Sequence, residues 1–147
     1  MSEKHPPASR RDYKQFMEIP TRWMDNDVYG HVNNVQYYSY FDTAVNSYLI
    51  EQGVLDIQNS PVIGLVVETQ CKYFSSITFP EVVHAGIRVA RIGNSSVRYE
   101  VGLFTDDNDT AAAEGHFIHV YVTRESQRPA SVPGDMRTVL GKILAGD

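Results

Sequence analysis

The strongest constraint on the fold is one long apolar segment, residues 35–52, whose hydrophobic positions recur at intervals of three and four. That spacing predicts an α-helix. Its apolar stripe consists of Tyr37, Tyr40, Phe41, Ala44, Val45, Tyr48 and Leu49. Asn33 or Asn34 can cap the start of the helix, and Gly53 can close its end. A helix of about 18 residues is roughly 27 Å long, so a large surface must wrap it.

Downstream of this helix, four segments alternate between apolar and polar residues, as strands with one buried face do. They are residues 63–74, 82–92, 95–105 and 111–123, and a further strand is expected upstream at residues 16–23. The predicted core face of the first segment comprises Ile63, Leu65, Val67, Thr69, Cys71 and Tyr73. The turns at residues 93–94 and 106–109 are too short for crossover helices, so the last three strands should be antiparallel neighbours.

The order of elements is a strand, a helix and four long strands, with a short C-terminal helix predicted at residues 135–144. This pattern indicates an α+β fold, with a five-stranded antiparallel sheet and one long apolar helix. Curling the sheet around the helix is the simplest way to bury the helix. The outer strand, residues 63–74, leaves an edge that a second copy of the chain can cover.

Length and composition narrow the class of protein. The chain has 147 residues, which suits one domain. Residues 1–12 are polar and predict a mobile tail, which leaves residues 13–147 as the single domain. The net charge of -5 disfavours a nucleic-acid partner. The sequence shows no signal peptide, and its longest apolar run is far shorter than the roughly 20 residues that span a bilayer. Cys71 is the single cysteine and cannot form an internal disulfide. We therefore expect a cytoplasmic protein without membrane insertion.

Several kinds of chemistry lack their motifs. The five histidines and the single cysteine do not have the spacing of a metal site. The segment GNSSV at residues 93–97 lacks the second glycine of a serine-hydrolase elbow, and the sequence has no phosphate-binding loop or dinucleotide fingerprint. Cys71 lies on a predicted core face, where a free cysteine usually packs. We therefore expect neither a metal nor another cofactor.

The segment most suited to chemistry is MDNDVYGHVN, residues 24–33, directly before the long helix. A helix start presents unpaired N–H groups and a partial positive charge, which stabilise an oxygen that becomes negative. A carboxylate nearby, from Asp25 or Asp27, can attack an acyl carbon or activate a water molecule. The segment is therefore suited to acyl transfer, although Asp and Asn before a helix are also common caps.

The pattern Asp-x-Asp-x-x-Gly-His-Val-Asn-Asn at residues 25–34, followed by a tyrosine-rich helix, resembles the hotdog-fold thioesterases of the 4-hydroxybenzoyl-CoA thioesterase type. The segments VETQCKYFSSITFPEVV, RIGNSSVRYEV, AEGHFIHVYVT and RPASVP fit the same family, so the resemblance spans residues 16–144. It implies the hotdog fold, in which a curled sheet wraps one long central helix. It also implies hydrolysis of acyl-CoA to a free acid and coenzyme A, in a homodimer or homotetramer with sites at the dimer interface.

The resemblance assigns roles within the motif. Asp27, its second Asp, falls on the catalytic carboxylate of the family, a nucleophile or general base toward the thioester carbon. The donor that polarises the carbonyl is a backbone N–H near Asn34, and Gly30 lets the backbone approach the thioester. His31 and Asn33 are expected to hold the loop and to hydrogen-bond near the site, and His31 is also a candidate for a direct catalytic role. Asp25 is expected to order the loop.

Substrate-binding residues are less sharply indicated. Tyr29 and Tyr37 are candidates for lining the acyl pocket, with plain packing as an equal alternative, and Trp23 is expected in the core. The phosphates of coenzyme A require cations and hydrogen-bond donors. The candidates are Arg91, Ser95, Ser96, Arg124 and Arg128. An acyl-carrier protein is acidic and is less favoured as a partner of a chain with this net charge.

Two alternatives to the thioesterase remain. One is a non-catalytic acyl-CoA-binding protein. The other, less favoured, is a hotdog enoyl-CoA hydratase or dehydratase, because His31 follows Asp27 by four residues, whereas the hydratase motif places the pair five apart. The other carboxylates fit less well than Asp27, because Asp42 and Glu51 lie away from the start of the helix and Glu68 faces away from the predicted core.

Overall fold

The computed structural model describes residues 6–145, and within them five strands form one sheet with two α-helices. The elements are β1 (Gln15–Pro20), α1 (Asn34–Glu51), β2 (Val62–Tyr73), β3 (Val82–Ile92), β4 (Ser96–Thr105), β5 (Ala113–Thr123) and α2 (Gly134–Gly141). Their order in the sheet is β1-β3-β4-β5-β2, and every neighbouring pair is antiparallel. The predicted elements are all present, with ends within three residues of the expected positions.

The two ends of α1 have the predicted caps. The side chain of Asn33 accepts a hydrogen bond from the Val35 N–H at 3.1 Å, which satisfies one of the free donors at the helix start. At the other end Gly53 takes a φ of +76°, a conformation that side chains disfavour. The Gly53 N–H donates to the Ile50 carbonyl and the Val54 N–H to the Leu49 carbonyl, which is the Schellman arrangement.

The core lies between α1 and one side of the sheet. All seven residues of the predicted stripe are buried, and Phe41 is only 1% exposed. The alternation in β3 and β4 is confirmed by residues that are all buried, namely Val83, Ala85, Ile87, Val89, Val97, Tyr99, Val101 and Leu103. Burying one large aliphatic or aromatic side chain stabilises a fold by about 1.5–3 kcal/mol, so this shared core holds the helix against the sheet.

The predicted core face of β2 is wrong in its first half. Val66 and Glu68 face consecutive residues of β5, so Val67 has no partner in the ladder and forms a β-bulge. The extra residue changes which side chains face the helix. Ile63 and Leu65 therefore point to the outer side of the sheet, because side chains alternate from Val66 backwards. The residues after the bulge keep the predicted face, namely Thr69, Cys71 and Tyr73.

β2 forms one edge of the sheet, as predicted for the outer strand. Leu65, Val66 and Val67 are 37%, 49% and 60% exposed. An exposed apolar edge strand presents unpaired backbone groups to any partner that can add a strand.

The N-terminal segment differs from the expected mobile tail. The Ala8 N–H donates to the Glu114 carboxylate at 2.7 Å, and the Arg10 guanidinium donates to the carbonyl groups of Asp106 and Asn108. Arg10 also lies over the Phe104 ring, 5.1 Å from its centroid. Residues 8–12 thus belong to the folded unit, and residues 1–5 lie outside the described residues.

The expected burial of Trp23 is wrong, since its side chain is 76% exposed. The first strand ends at Pro20, earlier than predicted, and a 3-10 turn at Trp23–Asp25 follows. That turn directs Trp23 away from the core. At the surface its ring contacts the Phe79 ring edge-on, with 5.9 Å between centroids. The buried residue of this turn is Asp25 instead.

Candidate active site

The motif before α1 folds into a small hairpin. Asn26 pairs with Val32, and the Asp27 N–H donates to the His31 carbonyl at 2.9 Å. The turn closes when the Gly30 N–H donates to the Asp27 carbonyl at 3.0 Å, with Gly30 at a φ of +81°. Because that φ lies in the left-handed region, glycine is the residue that fits there without strain.

The hairpin is anchored on both sides. The Val32 N–H donates to the Ile77 carbonyl at 2.7 Å, and the Asn33 N–H donates to the Asp25 carbonyl at 2.8 Å. Asn33 therefore both closes the hairpin and caps α1. The predicted role of Asn33 in holding the loop rests on these contacts.

Asp25 is the buried centre of this anchor. Its side chain is 1% exposed and accepts hydrogen bonds from the backbone and guanidinium of Arg22 and from the Tyr40 hydroxyl at 2.9 Å. Burial alone raises the pKa of the Asp25 carboxyl, but the bonds from Arg22 and Tyr40 outweigh it and hold that pKa below its usual value. Asp25 is thus an ionised residue that orders the loop, as the sequence predicted.

Asp27 stands at the turn with its carboxylate half engaged. Its Oδ1 accepts the Tyr29 N–H at 2.8 Å, whereas Oδ2 has no hydrogen-bond partner within residues 6–145. No cation pairs with the Asp27 carboxylate in this part of the chain. One carboxylate oxygen is therefore available to a substrate or a water molecule.

The start of α1 offers the complementary group. The Val35 and Gln36 N–H groups bond back to Asn33, but the Asn34 N–H has no partner among the described residues. The hairpin brings Asp27 and this N–H to the same end of α1. A free carboxylate oxygen and a free helix N–H together suit attack on a carbonyl whose oxygen becomes negative.

The other residues predicted at the site behave differently from one another. His31 and Gly30 are exposed at the turn. Tyr29 is 82% exposed. Tyr37 is buried at 3% exposure and packs edge-on against Tyr73, with 4.9 Å between ring centroids. Within the single chain Tyr37 therefore packs in the core.

A cleft of about 350 Å³ runs between the first turns of α1 and the free edge of β2. Its walls include Tyr38, Phe41, Asp42, Val66, Thr69 and Phe117. No pattern in the sequence marks this set of residues, because the bulge at Val67 decides which β2 residues face the helix. The alternation of β5 was the available signal for Phe117.

The candidates for binding coenzyme A lie at the opposite end of the sheet from Asp27. Val62, at the start of β2, pairs with Thr123 beside Arg124, whereas the hydroxyl of Tyr73, at the strand's other end, donates to the Asn34 carbonyl at 3.3 Å. Twelve strand residues separate these ends by on the order of 35 Å. Within one protomer the structure does not bring the two groups together.

Among these candidates Arg124 has a structural role. Its guanidinium donates to the carbonyls of Ser60 and Ile57 at 2.8 and 2.6 Å and so ties down the loop before β2. Arg91 and Arg128 have exposed side chains. The remaining two candidates form the β3–β4 turn, namely Ser95 and Ser96.

Other titratable groups give no second site of the same kind. Burial raises the pKa of the Cys71 thiol to about 11, so it is not a ready nucleophile. Glu68 is on the outer side of the sheet, with its carboxylate 2.8 Å from the His116 imidazole.

Residues 6–145 contain no cluster of three or more groups that would hold a metal ion. No helix in the same range is long and apolar enough to cross a membrane.

Comparison with known proteins places this arrangement in a family. The model of the thioesterase-like superfamily matches residues 21–140. The crystal structure of the PA5185 protein from Pseudomonas aeruginosa strain PAO1 is similar, with a TM-score of 0.94 and 52% sequence identity over 96% of this chain and 99% of that chain. The DHNA-CoA thioesterase from Staphylococcus aureus shares the fold, with a TM-score of 0.78 and 20% identity over 87% of this chain and 89% of that chain.

A sequence relative from Bacillus subtilis strain 168, the uncharacterised protein YsmA, is 23% identical over 122 residues, which are 83% of this chain and 82% of YsmA. The family match covers the hairpin, α1 and all the strands from β2 to β5. The chain therefore belongs to the thioesterase-like superfamily, with the hotdog fold and the enzyme class, thioester hydrolase, that residues 25–34 predicted.

Proposed function

We propose that this protein hydrolyses an acyl-CoA thioester to a free acid and coenzyme A, with Asp27 as the nucleophile or general base. The observation that supports this most directly is the free Oδ2 of Asp27 at the same end of α1 as the unpartnered Asn34 N–H. That N–H polarises the thioester carbonyl and stabilises the oxyanion. The exposed Gly30 leaves room for the thioester at the turn, and His31 is available at its rim.

The net reaction forms a bond from the acyl carbon to a water oxygen and breaks the C–S bond, and two routes lead to it. Either Asp27 attacks the acyl carbon and forms an anhydride that water then cleaves, or it removes a proton from a water molecule that attacks directly. In both cases the C–S bond breaks and coenzyme A leaves as the thiolate. Neither route requires a metal or a redox cofactor.

Substrate binding is proposed to require two copies of the chain. Antiparallel pairing of two β2 edges places the start of β2 in one copy beside its end in the other. Such pairing covers the exposed apolar edge and brings the distant cations of a second copy, Arg91 and Arg128, toward Asp27 of the first. Together with Arg124, Ser95 and Ser96, these residues are the candidates for the phosphates of coenzyme A in a homodimer or homotetramer.

The test is a panel of acyl-CoAs incubated with the protein and a thiol reagent. We expect Asp27→Asn to lower the release of coenzyme A by at least about a hundredfold while acyl-CoA binding is retained. Asp107→Asn is the matched control, because Asp107 is an exposed carboxylate in the β4–β5 turn, and its release rate should equal that of the wild type.

Other outcomes contradict the proposal. Binding of acyl-CoA without release of thiol by the wild type indicates a non-catalytic binding protein. Hydration of crotonyl-CoA without release of thiol indicates a hydratase. A rate near wild type for Asp27→Asn would assign the chemistry to a different residue.

A further inference from the structure

The cleft between α1 and β2 is lined by one charged side chain, that of Asp42, the ninth residue of α1. The rest of its walls are aromatic, aliphatic and hydroxyl side chains. The Asn46 side-chain amide donates to the Asp42 Oδ1 at 3.2 Å, and no salt bridge within residues 6–145 involves Asp42. A carboxylate in a largely apolar cleft, without a cation of its own, favours a ligand that brings a positive charge.

Three aromatic rings line the same cleft, namely Tyr38, Phe41 and Phe117. Tyr38 is 37% exposed and contacts the Phe41 ring edge-on, with 6.1 Å between centroids. The Phe41 and Phe117 rings are buried and stack with 6.4 Å between centroids, so they form the floor of the cleft. Aromatic faces attract cations, and proteins recognise quaternary ammonium groups with such rings. The rings and the carboxylate thus favour the same kind of ligand.

The two elements that border the cleft supply no cation for Asp42. Helix α1 contains no lysine or arginine. The one cation of β2 is Lys72, which shares the outer side of the sheet with Glu68, because residues four apart in a strand point the same way. The inner face of β2 is uncharged. A second copy that adds its β2 to this edge therefore closes the cleft without pairing Asp42 through that strand.

The distance from the helix start to Asp42 fits a short acyl chain. Asp42 follows Asn34 by eight residues, about 12 Å along the axis, and helical side chains lean back toward the start of the helix. The hydrogen bond from the Asn34 N–H to the thioester oxygen takes up about 3 Å, and an ion contact with the carboxylate about 4 Å. The remainder is the length of a chain such as butanoyl.

We propose that the acyl group of the substrate carries a quaternary ammonium group at its far end, which binds between the Asp42 carboxylate and the Tyr38 ring. The inference rests on the proposed function, since it needs the thioester at the start of α1. A neutral acyl chain of the same shape displaces water from Asp42 and leaves the charge without a partner. The ammonium group replaces that water with an ion pair and a ring contact. Asp42 is thereby a specificity-determining residue.

The experiment uses ω-trimethylammonio derivatives of butanoyl-CoA to hexanoyl-CoA as substrates of the full-length protein. Each is compared with a neutral isostere, in which a tert-butyl group replaces the trimethylammonium group. We expect the best cationic substrate to exceed its isostere about tenfold in kcat/KM, from an ion pair and a cation–π contact together. In Asp42→Asn, which keeps the size of the side chain, this ratio should fall at least about fivefold, through a higher KM for the cationic substrate at unchanged kcat.

Glu51→Gln is the matched control, because Glu51 is the other carboxylate of α1 and lines a separate pocket beside β1. It removes the same unit of charge and should keep the wild-type ratio. Equal kcat/KM values for cationic and neutral substrates in the wild type would overturn the inference, as would a ratio that Asp42→Asn leaves unchanged or that Glu51→Gln lowers equally. In these cases continued hydrolysis of the neutral isostere leaves the proposed function standing, whereas no hydrolysis of any acyl-CoA refutes both.

Discussion

Replacing His119 by phenylalanine should remove a large part of the acid sensitivity of this fold. The pKa of His119 is lowered by burial from 6.5 to about 4 in the folded chain. Between these two values the unfolded chain binds the proton and the folded chain does not, so stability falls as the pH falls through this window. One pKa unit corresponds to about 1.4 kcal/mol, so the difference between a pKa of 6.5 and one of about 4 amounts to about 3.5 kcal/mol in full, of which about 3 kcal/mol is lost by pH 4.

The free energy of unfolding, measured by urea denaturation at intervals from pH 7 to pH 4, tests this figure. The wild type should lose about 3 kcal/mol more than His119→Phe over that range. His119→Gln does not titrate either and must give the same difference, which separates the proton from the change in packing. The rings in contact with His119 are Tyr99, Phe117 and Tyr121, and burial raises the pKa of both tyrosines. Parallel curves for the wild type and both variants would refute the reasoning.

Three further predictions concern the site and its supports. Tyr40→Phe removes a hydrogen bond to the buried Asp25 carboxylate and should lower the free energy of unfolding by about 2 kcal/mol in urea, and an unchanged midpoint would contradict this. Gly53→Ala should cost about 1 kcal/mol because of its φ of +76°, whereas Gly141→Ala, in helix α2 with open space around it, should not destabilise the fold. Cys71 should react with a thiol reagent at least about tenfold more slowly in the native protein than in urea, and equal rates would show that its thiol is not buried.

The geometry of the candidate site was predictable where it depends on neighbouring residues. The residues that form the hairpin and the helix start are contiguous in the chain, and each has a local requirement: a cap at Asn33, a left-handed turn at Gly30 and a free carboxylate at Asp27. The position of Asp25 in the motif predicted that it orders the loop but did not show which groups it contacts. Its burial, and the partners from Arg22 and Tyr40, are contacts that the helix makes with the loop.

Contacts between segments that are distant in the chain could not be predicted from the sequence. The exposure of Trp23 follows from where β1 ends, and the docking of residues 8–12 follows from carbonyl groups in the β4–β5 turn and a carboxylate of β5. The candidates for the phosphates of coenzyme A lie at the far end of the sheet from Asp27, which no local pattern shows. The buried Nε2 of His119 has no hydrogen-bond partner among residues 6–145, which likewise depends on what the surrounding strands do not supply.

The long helix, its two caps, the alternating strands and the family motif can be read directly from the chain, because each depends on the periodicity or the order of neighbouring residues. The residues of β2 that line the cleft depend instead on the packing of the whole sheet, since a single bulge at Val67 reverses the facing of every β2 side chain before it. The packing of the sheet also determines which buried polar groups have no hydrogen-bond partner. Pairing across a sheet joins segments far apart in the chain, and its register is a property of the assembled core.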